Sequence, residues 1–301
     1  MTTENSPLQI LVIVDGKPGH ENQSFGLCEA LRQYTEINLT QSSPLTYKEI
    51  ALGMAFKQRP ASWKHIPRPD LVIATGSRTH FSLITAGRIF DSFTTLLCSS
   101  SLPARLFDLN VIPEHDRTQL FGNVIRTKGV INRVTPSNRT AADKGLILIG
   151  GDSKHYQWNT DQILEQLRLV IAANPGIKWC ITNSRRTPEE LEVALQQLPK
   201  NATFYRWQDT AREWLPEELA QSQHIWVTPD SVSMVYEALT SGNAVYLFDL
   251  KPTDTRVSES IEKMRGMLTG KLTDAGITPA QSPNPIWEAD RIAKYLLECL
   301  G

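Results

Sequence analysis

The sequence predicts an α/β protein of two Rossmann-like halves, each built round a parallel sheet, with the two sheets facing a cleft. Three observations predict it. Short apolar runs recur along the chain, each closed by Gly or a polar turn and followed by a segment of helical period, the pattern of βα units around a parallel sheet. The chain has 301 residues, too many for one ordinary core and enough for two domains of about 150 residues each. Between Thr127 and Gly145 the hydrophobicity drops into TKGVINRVTPSNRTAADKG, a stretch with Pro136, Ser137 and Asn138 of the kind that joins domains.

The elements follow from those signals in order. Leu8 to Val14 reads as a first strand and Asn22 to Tyr34 as its helix. Leu71 to Ala74 repeats the motif, preceded by the turn signal Arg68-Pro69-Asp70 and followed by Gly76. Phe93 to Cys98 and Leu109 to Pro113 read as further buried strands. The boundary falls near residues 134 to 145 and is drawn so that the first domain covers 1–138 and the second 139–301. A second series starts at Leu146 to Ile149, with strands at Lys178 to Thr182, Thr203 to Tyr205, Ile225 to Val227 and Ala244 to Phe248. Helices are expected at Asp161 to Ala173, Pro188 to Leu198 and Ser231 to Ser241.

Composition narrows the function classes. With 41% hydrophobic and 21% charged residues the chain is globular rather than disordered or fibrous. A formal net charge of -1 removes the global pull that a dedicated nucleic-acid binder uses on phosphates, so nucleic acid is not an expected partner and any anion site must be local. The four cysteines, Cys28, Cys98, Cys180 and Cys299, lack CxxC spacing, which argues against a zinc knuckle or a disulfide framework and fits a reducing cytoplasm. The opening MTTENSPLQILVIVDG has no basic n-region, and its apolar stretch is shorter than a signal or membrane segment.

In open α/β sheets ligands bind beyond the carboxyl ends of strands, where helix N-termini present unpaired N–H groups. The loops after the expected strands are therefore the candidate site. The first is Asp15-Gly16-Lys17-Pro18-Gly19-His20-Glu21: Gly16 and Gly19 allow close backbone approach, while Lys17, His20 and Glu21 gather ionisable groups. His20 is the candidate general base, because its unperturbed pKa lies near neutrality; alternatively Asn22 or Ser24 merely caps the helix and His20 is exposed. The loop is not a GxGxxG fingerprint, which counts against a dehydrogenase. The second loop places Gly76 at a turn, with Arg78 and His80 able to meet an anion or hydroxyl.

The third loop, Gly150-Gly151-Asp152-Ser153-Lys154-His155, offers tandem glycines and Ser153-Lys154 as a phosphate cradle without P-loop spacing, which counts against an ATPase. Next come the adjacent Arg185 and Arg186, suited to a diphosphate, before a helix with Thr187 as N-cap and Pro188 at N1. In the last loop Asp230 or Ser231 caps a helix whose first N–H groups and whose Ser231 and Ser233 hydroxyls face the cleft, with Glu237 one to two turns in. The plain alternative is a capped helix with Glu237 in solvent.

The motifs DGKPGHENQS, PDLVIATGSRTH, PARLFDLNVIPEHD, LILIGGDSKHYQW, TNSRRTP and TPDSVSMVYEA together resemble the mitochondrial fission ELM family over nearly the whole chain. The resemblance implies a fold of the GT-B glycosyltransferase group. A fainter resemblance runs to the N-acetylglucosaminyltransferases that form lipid II, in which a glutamate matching Glu237 holds the donor ribose. The chain departs from them by placing Lys154 and His155 where small residues would sit, which leaves the donor's identity open.

These readings lead to an expected glycosyltransferase. The second domain would bind a nucleotide-sugar, with Glu237 on the ribose and Gly150, Gly151, Ser153, Lys154, Arg185, Arg186, Asp230, Ser231 and Ser233 around the diphosphate. The first domain would hold the acceptor near Gly16, Lys17, Gly19, Gly76, Arg78 and His80, with His20, aided by Asp15 or Glu21, taking its proton. Neither metal nor cofactor is required, although Asp108, Glu114, His115 and Asp116 form an unspecific acidic group. The stretch Leu52 to Arg68 interleaves Met54, Phe56 and Trp63 with basic residues. It suits either peripheral contact with the inner face of a membrane, near a lipid-linked or cell-envelope acceptor, or aromatics packed on their own domain. The rival class is a non-catalytic adaptor on the same scaffold, since plant members of the family are associated with recruiting a fission dynamin. A third class, an epimerase, is set aside for want of a GxxGxxG start and a YxxxK pair.

Overall fold

The structure is a computed structural model that describes residues 6–116, 122–137, 140–253, 255–264, 268, 270–271 and 286–301. The chain divides into two compact units, one formed by residues up to Arg133 with Trp287–Gly301 and the other by Val134–Ile286.

The first unit runs β1 (Leu8–Ile13), α1 (Pro18–Leu31), β2 (Ile37–Ser42), α2 (Tyr47–Phe56), β3 (Leu71–Ala74), α3 (His80–Phe90), β4 (Phe93–Leu96), β5 (Leu109–Pro113) and β6 (Val124–Thr127). Its strands form one parallel sheet in the order β2-β1-β3-β4-β5-β6. Successive side chains of a strand point to opposite faces, and here both faces are covered. Ile10, Val12, Leu71 and Ile73 enter one core, while Leu11, Ile13, Val72 and Ala74 enter another with Trp63, Leu83 and Phe90. Burial on both sides is why these strands read as continuous apolar runs rather than as alternation.

The second unit continues with β7 (Ala141–Leu148), β8 (Tyr156–Gln157), α4 (Thr160–Ala173), β9 (Lys178–Thr182), α5 (Glu189–Leu195), β10 (Ala202–Tyr205), α6 (Trp214–Gln221), β11 (Ser222–Val227), α7 (Val232–Thr240), β12 (Ala244–Leu247), β13 (Lys251–Pro252), α8 (Arg256–Lys263) and β14 (Gly270–Lys271). Its main sheet is also parallel, in the order β10-β9-β7-β11-β12-β14, and β8 pairs with β13 separately. Each sheet is thus built outward in both directions from its first strand. The order reverses between β1 and β3 in one unit and between β7 and β11 in the other, with Ile13 beside Ala74 and Leu148 beside Val227.

Several expectations are refined. The helix after β1 begins at Pro18, with Lys17 as its N-cap and no side-chain capping bond, rather than at Asn22; proline's fixed φ suits the first helical position. β2 and β6 lie at the sheet edges with half-exposed side chains, which blurs the apolar run that marks a buried strand. The final helix, α9 (Glu288–Leu300), was grouped with the second domain by position. It packs instead on the first unit, where Ala289, Ile292, Ala293 and Leu296 share a core with Leu27, Cys28 and Leu31 of α1. Residues 138 and 139, where the domain boundary was drawn, lie outside the described residues.

The stretch Leu52 to Arg68 divides. Trp63 is fully buried and its indole N–H donates to Ser42 Oγ at 2.8 Å, and Arg59 lies 4.7 Å over the Phe90 ring. Tyr47 and Phe56, on α2, are exposed. Among the described residues no helix is long and apolar enough to cross a membrane.

Because Leu296 is fully buried against α1, Leu296→Ala should lower the unfolding free energy of the first unit by about 2–5 kcal/mol. Urea denaturation followed by amide exchange in α1 would measure it; unchanged protection of α1 would contradict this packing.

Candidate functional site

Both strand-order reversals place two loops side by side at the carboxyl edge of a sheet, the position where open α/β sheets bind ligands. In the first unit these are the loop after β1 and the loop after β3. Asp15 follows β1 with its carboxylate fully buried. Its Oδ1 accepts the Lys17 backbone N–H at 3.2 Å, and the His20 Nδ1 lies 3.0 Å from Oδ2. His20 sits in the first turn of α1 and is half-buried, so one ring edge is fixed by the carboxylate and Nε2 is the nitrogen left over. The carboxylate thus sets the orientation of the ring.

Gly76 makes the pairing possible. Its φ is +94°, a region that disfavours side chains, and a Cβ there would collide with the His20 ring and lie 3.0 Å from Asp15 Oδ2. Thr75 supports the same contact, its hydroxyl lying 2.9 Å from that of Ser24 on α1. A cavity of about 870 Å³ opens beside the pair, lined by Asp15, Gly16, Leu45, Tyr47, Arg78 and Phe81 among others. Gly16, Lys17, Gly19 and Arg78 are exposed, and Glu21 is half-buried in the first turn of α1.

His80 departs from the expectation that it meets an anion. It is 4% exposed, edge-on to Phe107, with Nδ1 3.3 Å from Ser100 Oγ and Nε2 3.7 Å from Cys98 Sγ. Burial holds its pKa below the ordinary histidine range. The Asp108, Glu114, His115, Asp116 group does not assemble either: Asp108 accepts the Thr94 backbone N–H and hydroxyl at 2.8 and 2.7 Å, and among the described residues no cluster of three or more His, Cys, Asp or Glu side chains suits a metal ion.

In the second unit the reversal joins the loops after β7 and β11. Gly150 and Gly151 were expected to cradle a phosphate with their amides, but both amides are spent on the protein. The Gly150 N–H donates to Thr228 Oγ1 at 2.7 Å and the Gly151 N–H to Asp230 Oδ2 at 3.0 Å. The glycines are needed for close packing instead: a Cβ on Gly150 would collide with the Asp230 carboxylate, and one on Gly151 with the Arg186 carbonyl. Asp230, 4% exposed, also accepts from the Arg186 guanidinium at 2.8 Å. Burial pushes its carboxyl above the usual range, against the pull of the Gly151 amide, the Thr228 hydroxyl and Arg186. Asp230 is therefore a clamp on the loops.

Arg186 also donates through Nη1 to the carbonyls of Gly151 and Asp152 at 3.0 and 2.8 Å. Arg185 is exposed and is not among the residues that line the cavity, whereas Arg186 is, which corrects the expectation that both arginines serve it. Thr187 was expected to cap α5, yet the N-cap is Pro188. The Thr187 hydroxyl donates to the Gly150 carbonyl and accepts the Ser184 N–H at 2.9 Å, stitching the two loops together.

A cavity of about 430 Å³ remains, lined by Asp152, Ser153, Lys154, His155, Arg186, Asp230 and the start of α7 at Ser231, Val232 and Ser233. Ser231 is the N-cap of α7 but makes no side-chain capping bond, so the first-turn amides keep their attraction for an anion. Lys154 is exposed there as a cation. Ser153 faces inward to the loop, its Oγ accepting the His155 N–H at 3.1 Å. Glu237 is half-buried past the first turn of α7 and lies outside the cavity lining. Asp152, His155 and Val232 are lining residues to which the loop reading gave no role; for His155 the signal was its place directly after Ser-Lys.

Two expected outcomes follow. Gly76→Ala should cost at least about 1–3 kcal/mol in backbone strain and shift the His20 ring resonances, whereas Gly176→Ala, which has open space around it, should do neither; unmoved His20 resonances would count against the pairing. For His80, the buried ring has a lower pKa than in the unfolded chain, so below about pH 6.5 the unfolded state binds the proton first and stability falls with pH. His80→Gln should flatten that fall in urea midpoints taken on either side of this pH, and an unchanged slope would refute the assignment.

Comparison with known proteins fits this construction. The family model described as Mitochondrial fission ELM1 matches residues 18–300. The chain is 23% identical to a protein of Rickettsia prowazekii (strain Madrid E) described as "Uncharacterized protein RP120", over 96% of this chain and 98% of that one. Similar solved structures include the glycotransferase of kitacinnamycin, at 12% identity and a TM-score of 0.55 over 99% of this chain and 100% of that one. Two others are UDP-GlcNAc 2-epimerases, from Methanocaldococcus jannaschii at 11% identity and a TM-score of 0.52, and from Neisseria meningitidis, bound to UDP-GlcNAc, at 13% and 0.51; each match covers 97% of this chain and 100% of the other. At such identities they bear on the fold alone, which is that of GT-B proteins. Since epimerases occur among them, lack of GxxGxxG and YxxxK does not exclude an epimerase on this fold. With nearly its whole length matched, the chain belongs to the Mitochondrial fission ELM1 family.

Proposed function

We propose that the protein is a metal-independent glycosyltransferase that moves a sugar from a nucleotide-sugar to a hydroxyl acceptor. The observation that carries this reading is the convergence of Lys154, Arg186 and the uncapped N-terminus of α7 on one cavity at the strand-order reversal of the second sheet. A diphosphate is the anion such a site suits, because helix amides and a flexible cation meet phosphate oxygens without needing a metal. The GT-B-type fold supports the same partner, and the similar Neisseria meningitidis structure is described as bound to UDP-GlcNAc.

In this reading the second unit holds the donor, with Glu237 on the ribose hydroxyls, and the first unit receives the acceptor beside His20. The acceptor O–H gives its proton to His20 Nε2 while its oxygen bonds to the sugar's anomeric carbon. The bond from that carbon to the phosphate oxygen breaks, and the electron pair leaves with the diphosphate, whose charge is met by Lys154 and the α7 amides. Leu45, Tyr47, Ile50 and Phe81 in the cavity beside Asp15 favour an acceptor with an apolar portion, such as a lipid-linked one.

A thermal-shift screen of UDP-, GDP-, CMP- and ADP-sugars tests the donor site, since a ligand that binds only the native state raises its melting temperature. One of them should stabilise the wild type, with the response lost in Lys154→Ala and reduced in Glu237→Ala. His20→Ala should keep the shift and lose roughly 10²–10⁴-fold in turnover. No response to any sugar nucleotide would favour an adaptor, and conversion of the donor without added acceptor would favour an epimerase.

A further inference from the structure

His155 lines the same cavity as Lys154 and Arg186, and the transfer chemistry above gives it no part. Its position is firmly set. The backbone N–H bonds Ser153 Oγ, the carbonyl accepts the Thr253 N–H at 2.9 Å, and the Thr253 hydroxyl holds the Lys154 carbonyl at 2.6 Å. The ring Nδ1 lies 3.0 Å from Oγ1 of Thr255, the N-cap of α8, which itself accepts the Ser258 N–H at 3.2 Å. With one ring edge fixed, Nε2 is the nitrogen left for a ligand.

We propose that His155 is a proton-gated anion ligand of this cavity: neutral without a ligand, it takes a proton from solvent as a phosphate group enters and donates it through Nε2 to a phosphate oxygen. The proposal rests on the diphosphate reading above and adds a residue and a pH dependence to it.

The charged groups facing the ring decide the gate. Lys154 beside it on its own loop and Arg186 from the loop after β9 are cations, Asp230 from the loop before α7 and the exposed Asp152 of the same cavity lining are anions, and Thr255 at the start of α8 is a neutral hydroxyl. Burial, then Lys154 and Arg186, hold the imidazole below the ordinary histidine range, while Asp230 acts the other way. Arg186 is matched by Asp230, so an additional permanent cation next to Lys154 would face repulsion whenever the site holds no anion. A titrating group avoids this: it is charged only when a diphosphate brings the compensating negative charge. Between the ring's pKa without ligand and its pKa with ligand, binding takes up a proton, and affinity must fall as pH rises.

The test uses two probes that do not themselves ionise between about pH 5.5 and 8, sulfate and UDP-GlcNAc, because this is the range in which a histidine titrates. Ring resonances of the wild type, assigned by their loss in His155→Gln, should report a pKa that rises by about one unit or more on adding either probe. By the same linkage, UDP-GlcNAc affinity should fall about tenfold across that range in the wild type. It should stay nearly flat in His155→Gln, while Lys154→Ala weakens binding at every pH and keeps the slope. A ring pKa unmoved by sulfate, or a wild-type slope retained in His155→Gln, overturns the proposal. UDP-GlcNAc binding with no pH dependence would sink it and leave the donor site standing. A sulfate response without UDP-GlcNAc binding would do the reverse. If His155→Gln fails to fold, His155→Asn supplies both the assignment and the comparison of slopes.

Discussion

A buried carboxylate pressed against a glycine holds together each of the two sites, and much else in the molecule depends on that contact. In the first unit the space that Gly76, after β3, leaves free is taken by the His20 ring, with the Asp15 carboxylate, after β1, packed beside it. In the second, Asp230, after β11, fills the space that Gly150, after β7, leaves free. A carboxylate withdrawn from water must recover its hydrogen bonds from the protein. Asp15 recovers them from the Lys17 amide and His20, and Asp230 from the Gly151 amide and Arg186. In the second unit the bond from Gly151 to Asp230 crosses the strand-order reversal and ties two loops together; in the first the Asp15 bonds stay within the loop after β1 and the start of α1, and the crossing is made by the packing against Gly76 and the Ser24–Thr75 hydroxyl contact. What remains unclamped at the mouth of each is the chemistry: one imidazole edge in the first unit, and a lysine, a histidine and a bare helix start in the second.

This division of labour explains which features were legible in the amino-acid order. Strands such as Leu71–Ala74, Leu109–Pro113 and Lys178–Thr182 announce themselves because the inner strands of a parallel sheet are covered on both faces and can be apolar throughout. Edge strands lack that burial, and Ile37–Ser42, half-exposed along its length, carries no comparable run. The allegiance of α9 was illegible for a different reason. Its apolar stripe says that it packs on something, and only the long-range contact with α1 says on what.

The candidate loops were equally visible, since glycine and ionisable residues after a strand are a local signal. The role of each residue within a loop was not. Arg185 and Arg186 are neighbours in sequence, and nothing local chooses which one Asp230 will pair with. Gly150 and Gly151 look like a phosphate cradle because phosphate cradles also need glycine, yet here the missing side chains make room for a carboxylate and a carbonyl. His80 has the spacing of a ligand and the surroundings of a core residue, packed on Phe107. In each case burial, a property of the folded whole, overrode the loop pattern.

The placement of α9 also bears on how the molecule is made. The core that Leu27, Cys28 and Leu31 begin is completed by Ile292, Ala293 and Leu296, which leave the ribosome only after the whole of the second unit. Domains ordinarily fold in the order of their synthesis. Here the earlier unit must keep one apolar flank of α1 uncovered until the later one has been made and α9 follows it, an exposed surface of the kind that favours association of the nascent chain.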